Sequence, residues 1–160
     1  MTLAYKRILV AVDGSDVAEW AFRKSVGIAQ RNNAILNLIF VIDTRSFTAV
    51  KFNELDIEEQ AYEFARDLLD KYKKEAEAAG VEQVNAIVRP GSPKKVISRD
   101  FAKQVEADLI VCGATGMNAF ERYLMGSVSQ HIVRNSSCDV LVVRMDESDQ
   151  AEEQKKSDFE

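Results

Sequence analysis

The chain has 160 residues, of which 46% are hydrophobic, and its formal net charge is -5 at pH 7. That length suits one domain with a sizeable core and is too short for two ordinary domains. The acidic sequence has no basic stripe, which argues against nucleic acid as a main partner, and no apolar run approaches the ~20 residues that a membrane-spanning helix needs. We therefore expect a single domain in the cytoplasm that binds neither nucleic acid nor membrane.

The first part of the chain alternates buried strands with a helix. Residues 8–12 form a continuous apolar run, which predicts a central strand covered on both faces. Residues 13–15 break that strand, and Ser15 or Asp16 is placed to cap the helix that follows. Residues 35–41 predict a second buried strand, so the connection between the two strands is a parallel crossover.

The middle of the chain begins with a polar segment, residues 43–53, which is either a lid or a mobile connection. Apolar residues then recur every three or four positions over residues 57–76, which predicts a long amphipathic helix that ends at Gly80. Residues 84–88 form a shorter, more polar strand that is suited to a sheet edge. Ser92, which is followed by proline, predicts the start of another helix.

The last third of the chain carries a pattern of glycines and serines. A short apolar strand ends at Gly113, a second glycine follows at Gly116, and a helix starts at Gly126. Glycines let the main chain approach an anion and adopt positive φ, while the free N–H groups of a helix N-terminus, with the hydroxyls of Ser127 and Ser129, supply further donors. The alternative is that the glycines only shape a turn and the serine only caps its helix. The joint occurrence of strand, glycine loop and helix start favours a phosphate site.

The two cysteines and the C-terminal segment point to no further site. Cys112 and Cys138 have no group of metal ligands near them in sequence, and we interpret them as small core residues in a reducing compartment. A redox role for Cys112, beside the glycine loop, is the alternative. Residues 146–160 hold seven acidic residues against two lysines, and we expect this tail to have no fixed structure. The folded domain should span residues 1–145.

The order of the predicted elements indicates the fold class. Five strands that alternate with four helices predict an α/β domain, a doubly wound five-stranded parallel sheet with helices on both faces, in the flavodoxin-like or the related Rossmann-like order. Ligands of such sheets bind beyond the carboxyl ends of the strands, where the connections change direction. Asp13 follows the first strand and Gly113 follows the fourth. We therefore expect these two loops to flank one crevice.

Six positions of the last third follow a fixed spacing, glycine-x2-glycine-x9-glycine-serine-valine-serine: Gly113, Gly116, Gly126, Ser127, Val128 and Ser129. This pattern resembles the nucleotide loop of the universal stress protein family, in its ATP-binding branch. The likeness covers roughly residues 5–144. It implies a Rossmann-like fold that binds ATP, with AMP or ADP as alternatives, and Mg²⁺ or Mn²⁺ held mainly through the phosphates.

The resemblance also implies a role for each matching position. Asp13 matches the acidic position whose carboxylate lies by the adenosine, and Val41 matches the position whose main chain reads the adenine edge. The six positions of the glycine pattern match the ribose and triphosphate cradle. Each has a simpler alternative, because Asp13 could be a turn former that bonds its own backbone and Val41 could be plain core. The full set of expected nucleotide-binding residues is Ala11, Asp13, Ser15, Val41, Gly113, Gly116, Gly126, Ser127, Val128 and Ser129.

The chain departs from the family pattern beside the second glycine. Thr115 stands where the family commonly has a basic residue, so one cation for the phosphates is missing, and Arg122 is a candidate replacement. The resemblance further implies a homodimer through the last strand, which begins at Val140 and ends at Val143. An apolar edge strand invites pairing with its two-fold copy, and the alternative is a monomer whose tail shields that edge.

No sequence signature of a fast enzyme accompanies the glycine pattern. There is no Walker lysine after the glycines and no Gly-x-Ser-x-Gly elbow, so any ATP hydrolysis should be slow. The single acidic residue after the first strand argues against a phosphoacceptor receiver domain, and the lack of Gly-x-Gly-x-x-Gly argues against NAD binding. We therefore predict a nucleotide-binding regulatory module of the stress response. The alternative is a dimeric interaction protein of the same fold that does not use nucleotide.

Overall fold

The computed structural model describes residues 3–47, 54–116, 125–145 and Lys155. Within those residues five strands form one sheet: β1 (Arg7–Val12), β2 (Ile35–Ile42), β3 (Val84–Pro90), β4 (Leu109–Gly113) and β5 (Asp139–Val143). The α-helices of the same residues are α1 (Asp16–Asn32), α2 (Glu54–Ala78), α3 (Pro93–Lys95), α4 (Phe101–Gln104) and α5 (Ser127–Asn135). A short 3₁₀ helix, Thr44–Phe47, follows β2.

The strand order is β3-β2-β1-β4-β5, and all neighbours are parallel. The predicted doubly wound sheet is confirmed, and its order is the Rossmann-like one rather than the flavodoxin-like one. β1 and β4 are neighbours, with Ile8 opposite Leu109. The chain first moves outward from β1 to β2 and β3 and then returns to the other side of β1. The carboxyl ends of β1 and β4 therefore flank the point where the connections change direction.

Helices cover both faces of the sheet. On one face α1 and α2 pack together, and the rings of Phe22 and Tyr72 stack with their centroids 4.3 Å apart. On the other face Phe101 of α4 and Ile132 of α5 lie over the central strands. Residues 8–10 of β1 are completely buried. This two-sided burial explains why β1 reads as an uninterrupted apolar run rather than an alternating one.

The ends of the two long helices follow from local chemistry. The Ser15 hydroxyl accepts a hydrogen bond from the N–H of Ala18 at 3.3 Å, which caps the first turn of α1 as predicted. Asn33 adopts a left-handed φ of 53° and ends α1, and Gly80 does the same after α2 with a φ of 99°. The predicted stop of the long helix at Gly80 is confirmed.

Two helices differ from the expectation drawn from periodicity. The helix after Ser92 is not uniform, since a π-helical stretch, Val96–Asp100, separates α3 from α4. Within it the buried Ser98 hydroxyl donates to the Lys94 carbonyl at 2.6 Å, a bond that competes with the regular helix pattern. In α5, the apolar residues Val128, Ile132 and Val133 recur at helical spacing, which predicts one buried face, but Val133 is 48% exposed.

Some of the expectations from sequence concern residues that the structure does not describe. Of the polar segment 43–53, the structure describes residues 43–47, and residues 48–53 lie outside the described residues. The tail 146–160, apart from Lys155, also lies outside them. Among the helices of the described ranges, none is long and apolar enough to cross a membrane.

Candidate functional site

The carboxyl ends of β1 and β4 bring Asp13 and Gly116 side by side. A Cβ atom at position 116 would lie 3.4 Å from Asp13 Oδ2, although the two residues are far apart in sequence. The loops after the first and the fourth strand therefore meet, as the predicted crevice required. The N-terminus of α5 completes the arrangement, since a Cβ at Gly126 would lie 3.5 Å from the Ala114 carbonyl oxygen and 4.0 Å from the Gly116 nitrogen.

The Asp13 carboxylate has one oxygen engaged in its own turn and one directed at Gly116. Its Oδ1 accepts hydrogen bonds from the Ser15 N–H at 2.9 Å and from the Ser15 hydroxyl at 2.5 Å. The turn-forming role is therefore realised. It does not exclude a second role, because within the described ranges no donor is bonded to Oδ2. Ser15 also caps α1, so the Asp13 carboxylate is bonded to a residue that is itself fixed at the start of a helix.

The start of α5 offers three main-chain N–H groups. Gly126 precedes the helix in an extended conformation, and its carbonyl accepts the first helical bond, from the Gln130 N–H at 3.0 Å. Among the residues that the structure describes, no acceptor is bonded to the N–H groups of Ser127, Val128 and Ser129. Free N–H groups and the positive end of the helix dipole attract an anion. The exposed Ser127 side chain can add a hydroxyl donor.

The glycines do not serve the site through positive φ, which corrects the expectation from sequence. None of Gly113, Gly116 and Gly126 has a left-handed φ. At position 113 a Cβ would lie 2.9 Å from Val17 Cγ1, so that glycine permits the close packing of α1 on β4. At positions 116 and 126 a Cβ would meet the described residues only at contact distances of 3.4 Å or more. Among the described residues, no close contact therefore requires glycine at positions 116 and 126.

The Ser129 hydroxyl also departs from the expectation that it faces an anion. It donates to the Gly113 carbonyl at 2.6 Å and lies 3.1 Å from the Ala114 carbonyl oxygen, and the residue is only 5% exposed. A buried hydroxyl takes the nearest acceptor, and here the nearest acceptors are main-chain carbonyls. Two amides of the loop are also engaged, because the Ala114 N–H donates to the Val143 carbonyl at 2.8 Å and the Gly126 N–H donates to the Ala114 carbonyl at 2.7 Å.

The main chain of Val41 faces the mouth of the crevice. The pairing of β1 with β2 ends at Val12 opposite Phe40, so no β1 residue lies opposite Val41. Along a strand the main-chain groups point alternately to the two sides. The Ile35 N–H donates to the Lys6 carbonyl on the β1 side, and Val41, six residues later, points the same way. The Val41 carbonyl is therefore placed to accept a hydrogen bond from a ligand.

Apolar side chains line the same region. Ala11, Val41 and Val128 are half-buried and belong to one cluster, on the face of the sheet that α4 and α5 cover. Ala11 lies opposite Ile39 in the sheet, two residues before Asp13. A site with apolar walls and a few directed polar groups suits a small organic anion with a flat apolar part.

Other expected participants contribute less. Arg122, the candidate replacement for a basic residue at position 115, lies outside the described residues. In the described ranges, no three His, Cys, Asp or Glu side chains are grouped so as to hold a metal ion. Cys112 is buried directly before the glycine loop, and burial raises the pKa of its thiol to about 11. Because the thiolate is the reactive form, this disfavours the redox alternative.

We expect Cys112 in the native protein to react with iodoacetamide at pH 8 ~100-fold more slowly than a free cysteine, whose pKa is about 8.5. Because the pKa of this thiol is raised in the folded protein, the buried protonated thiol contributes to the free energy of unfolding below its ordinary pKa. That contribution is lost as the pH rises towards 11. Timed labelling followed by mass spectrometry measures both effects. The urea-unfolded protein is the control, and equal labelling rates in the folded and the unfolded state would contradict the prediction.

Comparisons with known proteins agree with this architecture. Residues 4–144 match the model of the universal stress protein family. The chain is 50% identical to a Staphylococcus saprophyticus relative that carries the family's name, over 91% of this chain and 87% of the relative. It is also similar to the solved universal stress protein UspA from Lactobacillus plantarum, with 34% identity, a TM-score of 0.82 and coverage of 89% of this chain and 100% of that one.

A further solved structure is a universal stress protein in complex with cAMP. It is 27% identical to this chain, with a TM-score of 0.70 and coverage of 89% of this chain and 99% of that one. The family match extends over nearly all the described residues and includes both loops of the crevice. The chain belongs to the universal stress protein family.

Proposed function

We propose that the chain binds an adenine nucleotide, with ATP as the first candidate, in the crevice at the carboxyl ends of β1 and β4. The observation that supports this most is the start of α5, where three N–H groups have no acceptor among the described residues and lie beside Gly126 and Gly116, at which a Cβ would meet those residues only at 3.4 Å or more. A phosphate group fits such a helix start, because it meets several donors and the positive end of the helix dipole. Bound nucleotide would then let the protein act as a regulatory module in the stress response.

Adenine is the proposed base because of the acceptor at Val41. An adenine presents an exocyclic amine, which donates to a main-chain carbonyl, whereas a guanine presents a carbonyl oxygen at the same place. Asp13 Oδ2, to which no donor of the described residues is bonded, suits the hydroxyls of a ribose, which are donors. The similar protein that was solved with cAMP supports the choice of an adenine nucleotide.

The proposed nucleotide brings its phosphates, and with them a metal ion, to the start of α5. Mg²⁺ or Mn²⁺ would be held mainly by the phosphates, with water completing the shell. Thr115 is neutral, so AMP and ADP remain alternatives to ATP. We propose at most slow hydrolysis, since no Walker lysine follows the glycines of the pattern. We also keep the cytoplasm as the proposed location.

We expect titration with Mg-ATP to raise the melting temperature of the protein and to change the emission of Trp20, which lies in α1 close to its capped start. A ligand present at 100 times its Kd stabilises the folded state by ~2.7 kcal/mol. Differential scanning fluorimetry and fluorescence titration measure the two effects, and mass spectrometry detects nucleotide that co-purifies. GTP is the matched control, because it carries the same phosphates on a different base.

The outcomes of this titration separate the parts of the proposal. Binding of ATP with much weaker binding of GTP supports both the phosphate site and the adenine assignment. Equal binding of ATP and GTP keeps the phosphate site and overturns the role of Val41. If no nucleotide co-purifies, and neither ATP nor AMP shifts the melting temperature or the Trp20 emission, nucleotide binding is abandoned.

A second candidate function is that of a dimeric interaction protein which does not use nucleotide. It is favoured by β5, which pairs with β4 on one side and has no strand on its other side among the described residues. Val140, Leu141 and Val142 are only half-buried there, and such an apolar edge favours pairing with a second copy. We propose a homodimer through β5 in either case. Sedimentation with and without ATP distinguishes a dimer that responds to nucleotide from one that does not.

A further inference from the structure

The hydroxyl of Ser129 is the best-buried polar group at the proposed site. Ser129 is 5% exposed, and its hydroxyl is bonded to the Gly113 carbonyl and close to the Ala114 carbonyl oxygen. A hydroxyl has a single hydrogen, and these carbonyls already share it. The side chain therefore has no donor left for a phosphate, even though its own N–H is one of the three free groups at the start of α5.

Ala114 contributes both of its main-chain polar groups to the bonds that hold this turn. Its carbonyl accepts from the Gly126 N–H at 2.7 Å as well as lying near the Ser129 hydroxyl, and its N–H donates to the Val143 carbonyl at 2.8 Å. The end of β4 and the start of α5 are thus joined by two bonds within a few ångströms of each other. One of them comes from a main-chain amide, and the other depends on the side chain at position 129.

The carbonyl groups of Gly113 and Ala114 matter to an anion because their oxygens carry partial negative charge. If they were not bonded to Ser129 and Gly126, the carbonyl oxygens would lie beside the free N–H groups of α5. They would then compete with a phosphate for the same donors and repel it. A fixed donor that holds the carbonyls removes that competition before the ligand arrives, which is how a pre-organised site saves free energy on binding.

We propose that Ser129 is a positioning residue of the phosphate site. Its hydroxyl holds the carbonyls of Gly113 and Ala114 against the start of α5, and the N–H groups of residues 127–129 are thereby kept free for the anion. The inference rests on the proposed nucleotide site and assigns to Ser129 a role through other groups rather than direct contact of its hydroxyl with phosphate. The same role predicts that the bonds among Gly113, Ala114 and the start of α5 are present in the absence of ligand.

The test compares a nucleotide with its nucleoside. We expect Ser129→Ala to weaken the binding of AMP about tenfold or more, the loss that corresponds to a removed buried hydrogen bond. Binding of adenosine, which has no phosphate, should change by less than about threefold. Ser129→Thr keeps a hydroxyl on the same carbon and should restore most of the AMP affinity. Isothermal titration calorimetry gives all three values.

A second readout separates positioning from direct contact. In the ligand-free protein, Ser129→Ala should speed the hydrogen exchange of the Gly126 amide, because that amide and the serine hydroxyl hold the same turn. NMR measures the exchange without any nucleotide present. A hydroxyl that only contacts phosphate would leave the exchange of the free protein unchanged, and that result would overturn the inference.

Ser25→Ala is the matched control. Ser25 is completely buried in α1, and its hydroxyl also donates to a main-chain carbonyl, that of Phe22 at 2.6 Å. The control should lose stability without any change in the ratio of AMP to adenosine affinity. Equal AMP affinity in Ser129→Ala and the wild type, or an equal loss of AMP and adenosine, overturns the positioning role alone. A wild-type protein that binds neither ligand overturns the proposed function, and the positioning role with it.

Discussion

Gly116→Val is expected to abolish nucleotide binding and to leave the fold intact. The Cβ of the new side chain would lie 3.4 Å from Asp13 Oδ2, a distance that a small shift accommodates, and its two methyl groups would add bulk where the loops after β1 and β4 meet. The backbone at position 116 has no left-handed φ, so a branched residue meets no conformational penalty of that kind. Calorimetric titration with Mg-ATP measures the loss, and circular dichroism with urea denaturation measures the fold.

Gly126→Val should act in the same way at a greater cost in stability. Valine is a poor residue at a helix N-cap, and we expect this variant to lose about 1 kcal/mol in addition to its nucleotide binding. Gly27→Ala is the control for both variants. Gly27 lies within α1, where a Cβ would meet only the Arg31 guanidinium at 3.2 Å, and alanine there should keep binding and stabilise the helix by ~0.5–1 kcal/mol. Undiminished ATP affinity in Gly116→Val would exclude the crevice as the nucleotide site.

Gly113→Ala is expected to destabilise the protein by about 1–3 kcal/mol, the usual cost of forcing an extra carbon into a packed interior. The new Cβ would lie 2.9 Å from Val17 Cγ1 and 3.2 Å from Val17 Cγ2, so α1 or β4 must move. The effect is one of packing, since it arises between helix and strand rather than in the crevice. Urea denaturation with and without Mg-ATP gives the free energy of unfolding.

The matched rescue for this change is Val17→Ala. Val17 is 8% exposed, and shortening it removes the two nearest of the three atoms that the new Cβ would meet, which leaves only the Thr115 carbonyl oxygen at 3.3 Å. In a double-mutant cycle we expect a favourable coupling of ~1 kcal/mol or more between positions 17 and 113, because the two residues are in contact. A Gly113→Ala protein that is as stable as the wild type would show instead that this glycine, like Gly116, serves the ligand.

The sheet was largely predictable from sequence because its strands are buried on both faces. β1 is apolar after Arg7, β2 is apolar apart from the buried Asn37, and the polar β3 was correctly assigned to an edge. The strand order was not predictable in the same way. Flavodoxin-like and Rossmann-like sheets share the same succession of strands and helices along the chain. Only the lateral pairing, such as that of β1 with β4, distinguishes them.

The candidate site was predicted in position but not in detail. The spacing of the glycines located it, yet the reason for each glycine depends on residues that are remote in sequence. Nothing near position 113 in sequence indicates Val17, and nothing near position 129 indicates that its hydroxyl bonds two carbonyls of the preceding loop. The π-helical stretch between α3 and α4 carried no periodic signal either, because one extra residue in a turn hardly disturbs an apolar pattern.

The bond from the Ala114 N–H to the Val143 carbonyl links the glycine loop to the last residue of the outermost strand. Because that strand has only one neighbour among the described residues, the main chain at its end is held by its pairing with β4 and by this bond. Local opening in proteins occurs in contiguous cooperative units, and we expect the loop and the strand end to open together. Fraying of β5 at Val143 would therefore loosen the loop, and whatever steadies the loop protects that end of the sheet.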